Sequence, residues 1–107
     1  LVHEDKKRIG GRKLNDCYAD FQRDLTGLIR ANIFDDTNGL SIDVFQSEGY
    51  LLAFTGEGLI RDPRKSIALE PMQCMTNAYN REEFIKKITL RPKGVSTFSF
   101  GVEWEVD

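Results

Sequence analysis

Glu70 is the residue whose neighbours best suit it to chemistry. It follows the apolar run Ile67-Ala68-Leu69 and precedes Pro71, so a strand-forming stretch delivers a carboxylate to a strand end beside a loop. A carboxylate at such a mouth can act as a general base, and partial burial strengthens it by disfavouring the charged form. The plainer alternative is a half-exposed glutamate or an ion-pair partner.

Other reactive residue types offer less. His3 is the only histidine, lies in a polar leader and has no discernible partner, so it reads as an exposed terminal side chain. Cys17 and Cys74 are too few and too far apart for a disulfide framework or a zinc motif, and imply a reduced, cytoplasmic compartment. Nothing near Cys74 in sequence supplies the electropositive neighbourhood that a reactive thiol needs. Gly56-Glu57-Gly58 lacks the third glycine of a dinucleotide fingerprint, and there is no phosphate-binding loop, paired-histidine zinc site or Gly-x-Ser-x-Gly elbow. No metal or cofactor is expected.

The elements that must position Glu70 read mostly as strands. Residues 28–34 and 40–45 are aliphatic and aromatic, and Asp35-Asp36-Thr37-Asn38-Gly39 between them predicts a hairpin through the positive φ that Asn-Gly adopts. Leu40, Ile42 and Val44 alternate with Ser41, Asp43 and Phe45 at the period of a half-buried strand. Residues 50–55 are almost continuously apolar, as in a strand buried on both faces. Ile67 and Leu69 share a face, and Pro71 should stop that ladder. Phe98, Phe100, Val102, Trp104 and Val106 oppose Thr97, Ser99, Gly101, Glu103 and Glu105, which predicts the clearest strand, with Trp104 in the core. The one helical candidate starts at Asn80, with Asn80 as cap and Glu83 reaching back. Many short strands with Gly and Asn turns predict an all-β antiparallel sandwich or barrel.

Composition sets the class. The 107 residues allow one domain, and 40% hydrophobic with 30% charged residues is globular. Fifteen Lys and Arg against seventeen Asp and Glu give a net charge of −2, without the basic excess of a nucleic-acid binder. No apolar run is long enough to span a bilayer, so neither nucleic acid nor membrane is an expected partner. Residues 1–13 read as a polar leader or loop, and 14–107 as the folded part.

The segment Ile67-Ala68-Leu69-Glu70-Pro71-Met72-Gln73-Cys74-Met75-Thr76-Asn77-Ala78-Tyr79-Asn80 resembles the C-terminal signature of the aldose 1-epimerase (galactose mutarotase-like) family. Leu14-Asn15-Asp16-Cys17-Tyr18-Ala19-Asp20-Phe21, Tyr50-Leu51-Leu52-Ala53-Phe54-Thr55-Gly56 and Leu90-Arg91-Pro92-Lys93-Gly94 resemble further family segments in matching order. The resemblance implies that residues 14–107 are the C-terminal part of a larger antiparallel supersandwich. It also implies an isomerase that interconverts the anomers of an aldohexose without a cofactor. Glu70 matches the family's base, which takes the proton from the anomeric hydroxyl. The histidine acid that protonates the ring oxygen would belong to a missing N-terminal part of the sandwich, since His3 matches neither family histidine.

One position departs from the pattern. Where the family has a sugar-holding aspartate, alignment on Leu14 and Tyr18 places Asn15, with Asp16 next to it. Asn still donates and accepts hydrogen bonds but lacks the charge that strengthens an Asp–hydroxyl bond. A one-residue bulge would present Asp16 instead. Two other readings follow: a carbohydrate-binding or sensing protein that lost catalysis, and a free-standing β interaction module. Tyr79 is expected in the core, Met72 and Met75 in loop packing, and Arg61, Asp62, Arg64 and Lys65 in a solvated loop.

Overall fold

Two three-stranded antiparallel sheets make up the fold, seen in a computed structural model that describes residues 8–107. The strands are β1 (Asn15–Tyr18), β2 (Ile29–Asp35), β3 (Leu40–Gln46), β4 (Tyr50–Phe54), β5 (Ala68–Met72) and β6 (Phe100–Val106). One sheet has the order β1-β4-β5 and the other β2-β3-β6. The protein is therefore all-β and sandwich-like, as the turn-punctuated short apolar runs imply.

The β2–β3 hairpin forms where the sequence places it, although Asn38 contributes differently. Asp35 pairs with Leu40 across a four-residue loop, and only Gly39 has a positive φ, at 69°. The Asp35 carboxylate accepts from Thr37 N (2.9 Å) and Asn38 Nδ2 (2.7 Å), so Asn38 acts through its side chain. These bonds hold the Asp35 carboxyl below its ordinary range, the Asn38 bond most strongly. Strand β3 shows the expected alternation only at its end: Leu40 to Asp43 are all half-buried, and Val44 and Gln46 are buried on either side of half-buried Phe45. Gln46 is a buried polar side chain with a structural task. Its Nε2 donates to Glu48 O (2.7 Å) and Tyr50 O (2.9 Å), fastening the turn into β4. That turn needs Gly49: its φ is +94°, and a Cβ there would sit 2.1 Å from Met72 O.

Several expectations are corrected. Strand β4 is central in its sheet but fully buries only Leu51 and Ala53, on one face, while Tyr50, Leu52 and Phe54 are half-buried. Pro71 does not stop its ladder. It pairs opposite Leu51 and β5 continues to Met72, because β5 is an edge strand and can spare one amide. The helical candidate is two 3-10 segments, Ala78–Asn80 and Glu82–Ile88. Asn80 closes the first, its Nδ2 donating to Asn77 Oδ1 (2.7 Å), and no side chain caps the second. A seven-residue stretch without a cap is too short to sustain an α-helix.

The largest departure is β6. Trp104, Phe100, Val106 and Val102 are 71%, 62%, 64% and 52% exposed. The register sets Trp104 opposite Ile42 and Val102 opposite Val44, so the apolar alternation is present, but it lies on a sheet face that the described residues cover only around Ile29, Val44 and Gln46 and leave open along β6. Buried apolar side chains are few: Leu14, Ile29, Val44, Leu51, Ala53 and Ala78. The accessible surface of 8549 Å² accordingly exceeds the roughly 6,100 Å² expected of a compact monomer of this mass.

The opposite face of that sheet is polar and tied by charge. The Arg30 guanidinium reaches Asp24 (2.7 Å), Glu103 (3.2 Å) and Asp43 (3.5 Å), and lies 5.1 Å from the Phe45 ring centroid. Phe45 covers Gly101, where a Cβ would come within 2.4 Å of the ring, so this strand glycine serves a close approach.

The Asp62–Lys65 region is not simply solvated. Arg64 donates to Gly10 O (2.8 Å) and Arg12 O (2.9 Å), tying the described end of the leader to the sheet, and pairs with Glu57. Glu57 also accepts from the buried Thr55 hydroxyl, the main cause that lowers its pKa. Thr55 Oγ1 in turn accepts from Leu14 N at 2.9 Å. Residues 1–7, including His3, lie outside the described residues.

Candidate functional site

The β1-β4-β5 sheet decides which candidate residues meet. Directly paired residues of antiparallel strands point to the same face. Asn15 pairs with Phe54 and Phe54 with Ala68; Cys17 pairs with Leu52 and Leu52 with Glu70. Asn15, Cys17, Leu52 and Glu70 therefore share one face. Asp16 pairs with Ala53 and belongs to the other. The β1 register is regular over all four pairs, so no bulge exchanges Asp16 for Asn15.

Chain returning after β5 builds walls on that face. The Phe84 ring meets Tyr50 edge-on, with centroids 6.1 Å apart, which docks the second 3-10 segment over the Tyr50 end. Ala78, which opens the first 3-10 segment, is buried. Asn77 before it takes a left-handed conformation, φ 59°, which Asn tolerates better than most residues. The Cys17 thiol meets the Met75 sulfur at 3.5 Å, joining β1 to this return.

An open groove of about 700 Å³ results. Its floor includes Cys17 and Leu52, and Asn15, Asp16 and Tyr18 border it along β1, an edge strand. Met75, Thr76, Asn77 and Arg81 form the far wall. The Arg81 guanidinium lies 5.2 Å from the Phe84 centroid and 3.5 Å from a Glu83 oxygen, leaving donors for the groove.

Glu70 borders this arrangement without lining the groove. It is the third of five residues in β5, not a strand end, and it is exposed rather than half-buried. Leu52 separates it from the groove, with Cα atoms about 5 Å apart. The Glu70-to-Cys17 span across two strand spacings is about 10 Å, close to the width of a hexose ring with its substituents. Among the described residues, no hydrogen bond or ion pair occupies the Glu70 carboxylate.

The groove therefore gathers Asn15 and Asp16 and leaves Glu70 one strand away. Arg81 and Asn77 are polar lining residues that sequence reasoning missed as site residues. Asn77 stood inside the quoted signature, whereas Arg81 follows it and carried no signal. Tyr79, expected in the core, is 81% exposed beside the groove. Met75 lines the groove and packs on Cys17. Among the described residues, no cluster of His, Cys, Asp and Glu is arranged to hold a metal ion, and no helix is long and apolar enough to cross a membrane. No protein-family model, curated protein or solved structure matches the chain.

Proposed function

We propose that this chain is the C-terminal part of an aldose 1-epimerase-like sugar mutarotase, with Glu70 as general base and an aldohexose as substrate. The observation that carries the reading is the shared face: a Glu70 carboxylate without a partner among the described residues, beside a groove of mixed polar and apolar lining bordered by Asn15. The ordered family-like segments around Glu70, residues 14–21, 50–56 and 67–80, supply the rest.

The chemistry needs two groups. Glu70 takes the proton from the anomeric hydroxyl as the ring C–O bond breaks and the C1 carbonyl forms. An acid gives a proton to the departing ring oxygen; rotation about C1–C2 and reclosure then yield either anomer. Both proton transfers must be positioned at once for the step to be fast. In this reading the acid is a histidine supplied from outside these 107 residues, by an N-terminal part of the sandwich.

That division of labour sets the test. Imidazolium in solution can stand in for the missing acid. Anomer exchange should accelerate when chain and imidazole are combined, beyond the rate with imidazole and the Glu70→Gln variant. Equal rates for the two proteins would overturn the assignment. The position of Glu70 beside the groove rather than in it favours a second reading, a carbohydrate-binding protein without catalysis. Saturable aldohexose binding with no Glu70-dependent exchange would select that reading.

A further inference from the structure

We propose that β6 is an acceptor edge for strand addition, and that its occupant is a partner polypeptide strand alternating apolar and cationic side chains. This goes beyond the sugar-site reading and is independent of it.

Hydrogen-bond parity shows which groups the edge offers. Ser47 N donates to Ser99 O and Asp107 N to Gly39 O, so the odd-numbered residues of this stretch direct their backbone groups toward β3. The N–H and C=O groups of Phe100, Val102, Trp104 and Val106 therefore point to the free side, because β6 ends its sheet. These are the same four residues whose apolar side chains are 52% to 71% exposed. Backbone bonding capacity and apolar surface coincide on one strand whose outer edge pairs with no other strand among the described residues.

Among the described residues, the only protection of this edge against pairing is its acidic charge, Glu103 and Glu105. Natural edge strands carry Lys, Pro, bulges or short lengths that discourage pairing. Strand β6 has seven residues in unbroken register with β3 and contains no Lys, Arg or Pro. An added strand would gain main-chain hydrogen bonds to the four outward residues and seat its alternate side chains beside Trp104 and Val102.

Charge selects the occupant. The interleaved side chains on the other face are Glu103, already paired with Arg30 at 3.2 Å, and Glu105, followed by Asp107; all three are exposed, and Glu105 and Asp107 have no cationic partner among the described residues. A second copy paired antiparallel over all seven residues would set Glu103 directly against its own counterpart, which is unfavourable. A strand with Lys or Arg at these positions turns the same pairs attractive. Apolar residues in its alternate positions would extend the Ile42–Trp104 and Val44–Val102 rows.

Trp104 is the only tryptophan, so it reports on its own edge. The purified chain would be titrated with a synthetic strand peptide alternating Val and Lys, and with a matched Val–Glu peptide, while Trp104 emission and amide exchange are followed. The proposal expects a saturable blue shift with the Val–Lys peptide and new protection at Phe100, Val102, Trp104 and Val106. It also expects at least about tenfold weaker binding of the Val–Glu peptide, as two reversed cross-strand pairs imply. The Val102→Pro variant loses one outward donor without touching the β3 ladder, and should bind weakly while keeping its own fold by circular dichroism. Equal binding of both peptides, no saturable change, or unchanged binding by Val102→Pro would each overturn the proposal. So would protection of the same four amides by self-association without peptide, which would make a second copy the occupant.

Discussion

Asn15 and Glu70 lie on one face of the β1-β4-β5 sheet, spaced by Phe54 and Leu52 of the central strand. Two strand spacings and a two-residue offset put their Cα atoms about 12 Å apart, so one monosaccharide could touch both side chains. Asp16, adjacent in sequence, is turned to the other face by strand parity.

This separates the two candidates for holding sugar hydroxyls. Asn15→Ala should weaken aldohexose binding by about 1 kcal/mol, roughly fivefold, as expected for one lost hydrogen bond. Asp16→Ala should change it little. Chemical-shift titration of both variants checks the order; a larger loss at Asp16 would show that the sugar reaches around the β1 edge instead.

Thr55 links the sheet to the loop that follows β4. Its buried hydroxyl accepts from Leu14 N and donates to Glu57, so Thr55→Val strands a buried amide. Stability should fall by about 1–3 kcal/mol in chemical denaturation, and Thr55→Ser should recover most of it. An unchanged midpoint for the valine variant would refute this role.

Gly49 is constrained twice, by its φ of +94° and by Met72 O. Gly49→Ala should cost more than about 2 kcal/mol, since the β3–β4 turn cannot shift without disturbing the β4–β5 pairing. Thermal unfolding would measure it. A loss near zero would mean that the turn can shift freely.

Acid sensitivity should come largely from Asp24. Its carboxylate accepts from the Thr26 hydroxyl, Leu28 N, Arg30 Nε and Thr26 N, which together hold its pKa well below the ordinary value. A lowered folded pKa means that the stabilisation is complete above the unfolded value of about 3.9 and drains away as pH falls through the folded value. Glu57, held down chiefly by Thr55, adds in the same direction. The melting temperature should therefore drop below about pH 4, and Asp24→Asn should lower it at neutral pH while flattening the acid limb. Parallel acid limbs for the two proteins would contradict this.

Much of this framework is legible in the residues themselves. The alternation in residues 40–45 and 98–106 marks β3 and, from Phe100 onward, β6, because a period of two depends only on strand geometry. It could not say that Trp104 would be exposed, since burial depends on what stands across the sheet. Pro71 read as a stop because an edge position, where a missing amide is harmless, is a property of topology. Arg64 read as solvated because its partners, the Gly10 and Arg12 carbonyls, are 54 and 52 residues away. The groove shows the same split: Asn15 and Asn77 stood in family-like segments, whereas Arg81 and the Cys17–Met75 contact arise from the return after β5.

The most direct test of the central claim is anomer exchange of an aldohexose followed by NMR, with this chain and imidazole together. The account predicts acceleration that depends on Glu70 and falls by about a hundredfold or more in Glu70→Gln, the scale of a lost general base. The same rate with Glu70 and with Gln at that position would contradict it.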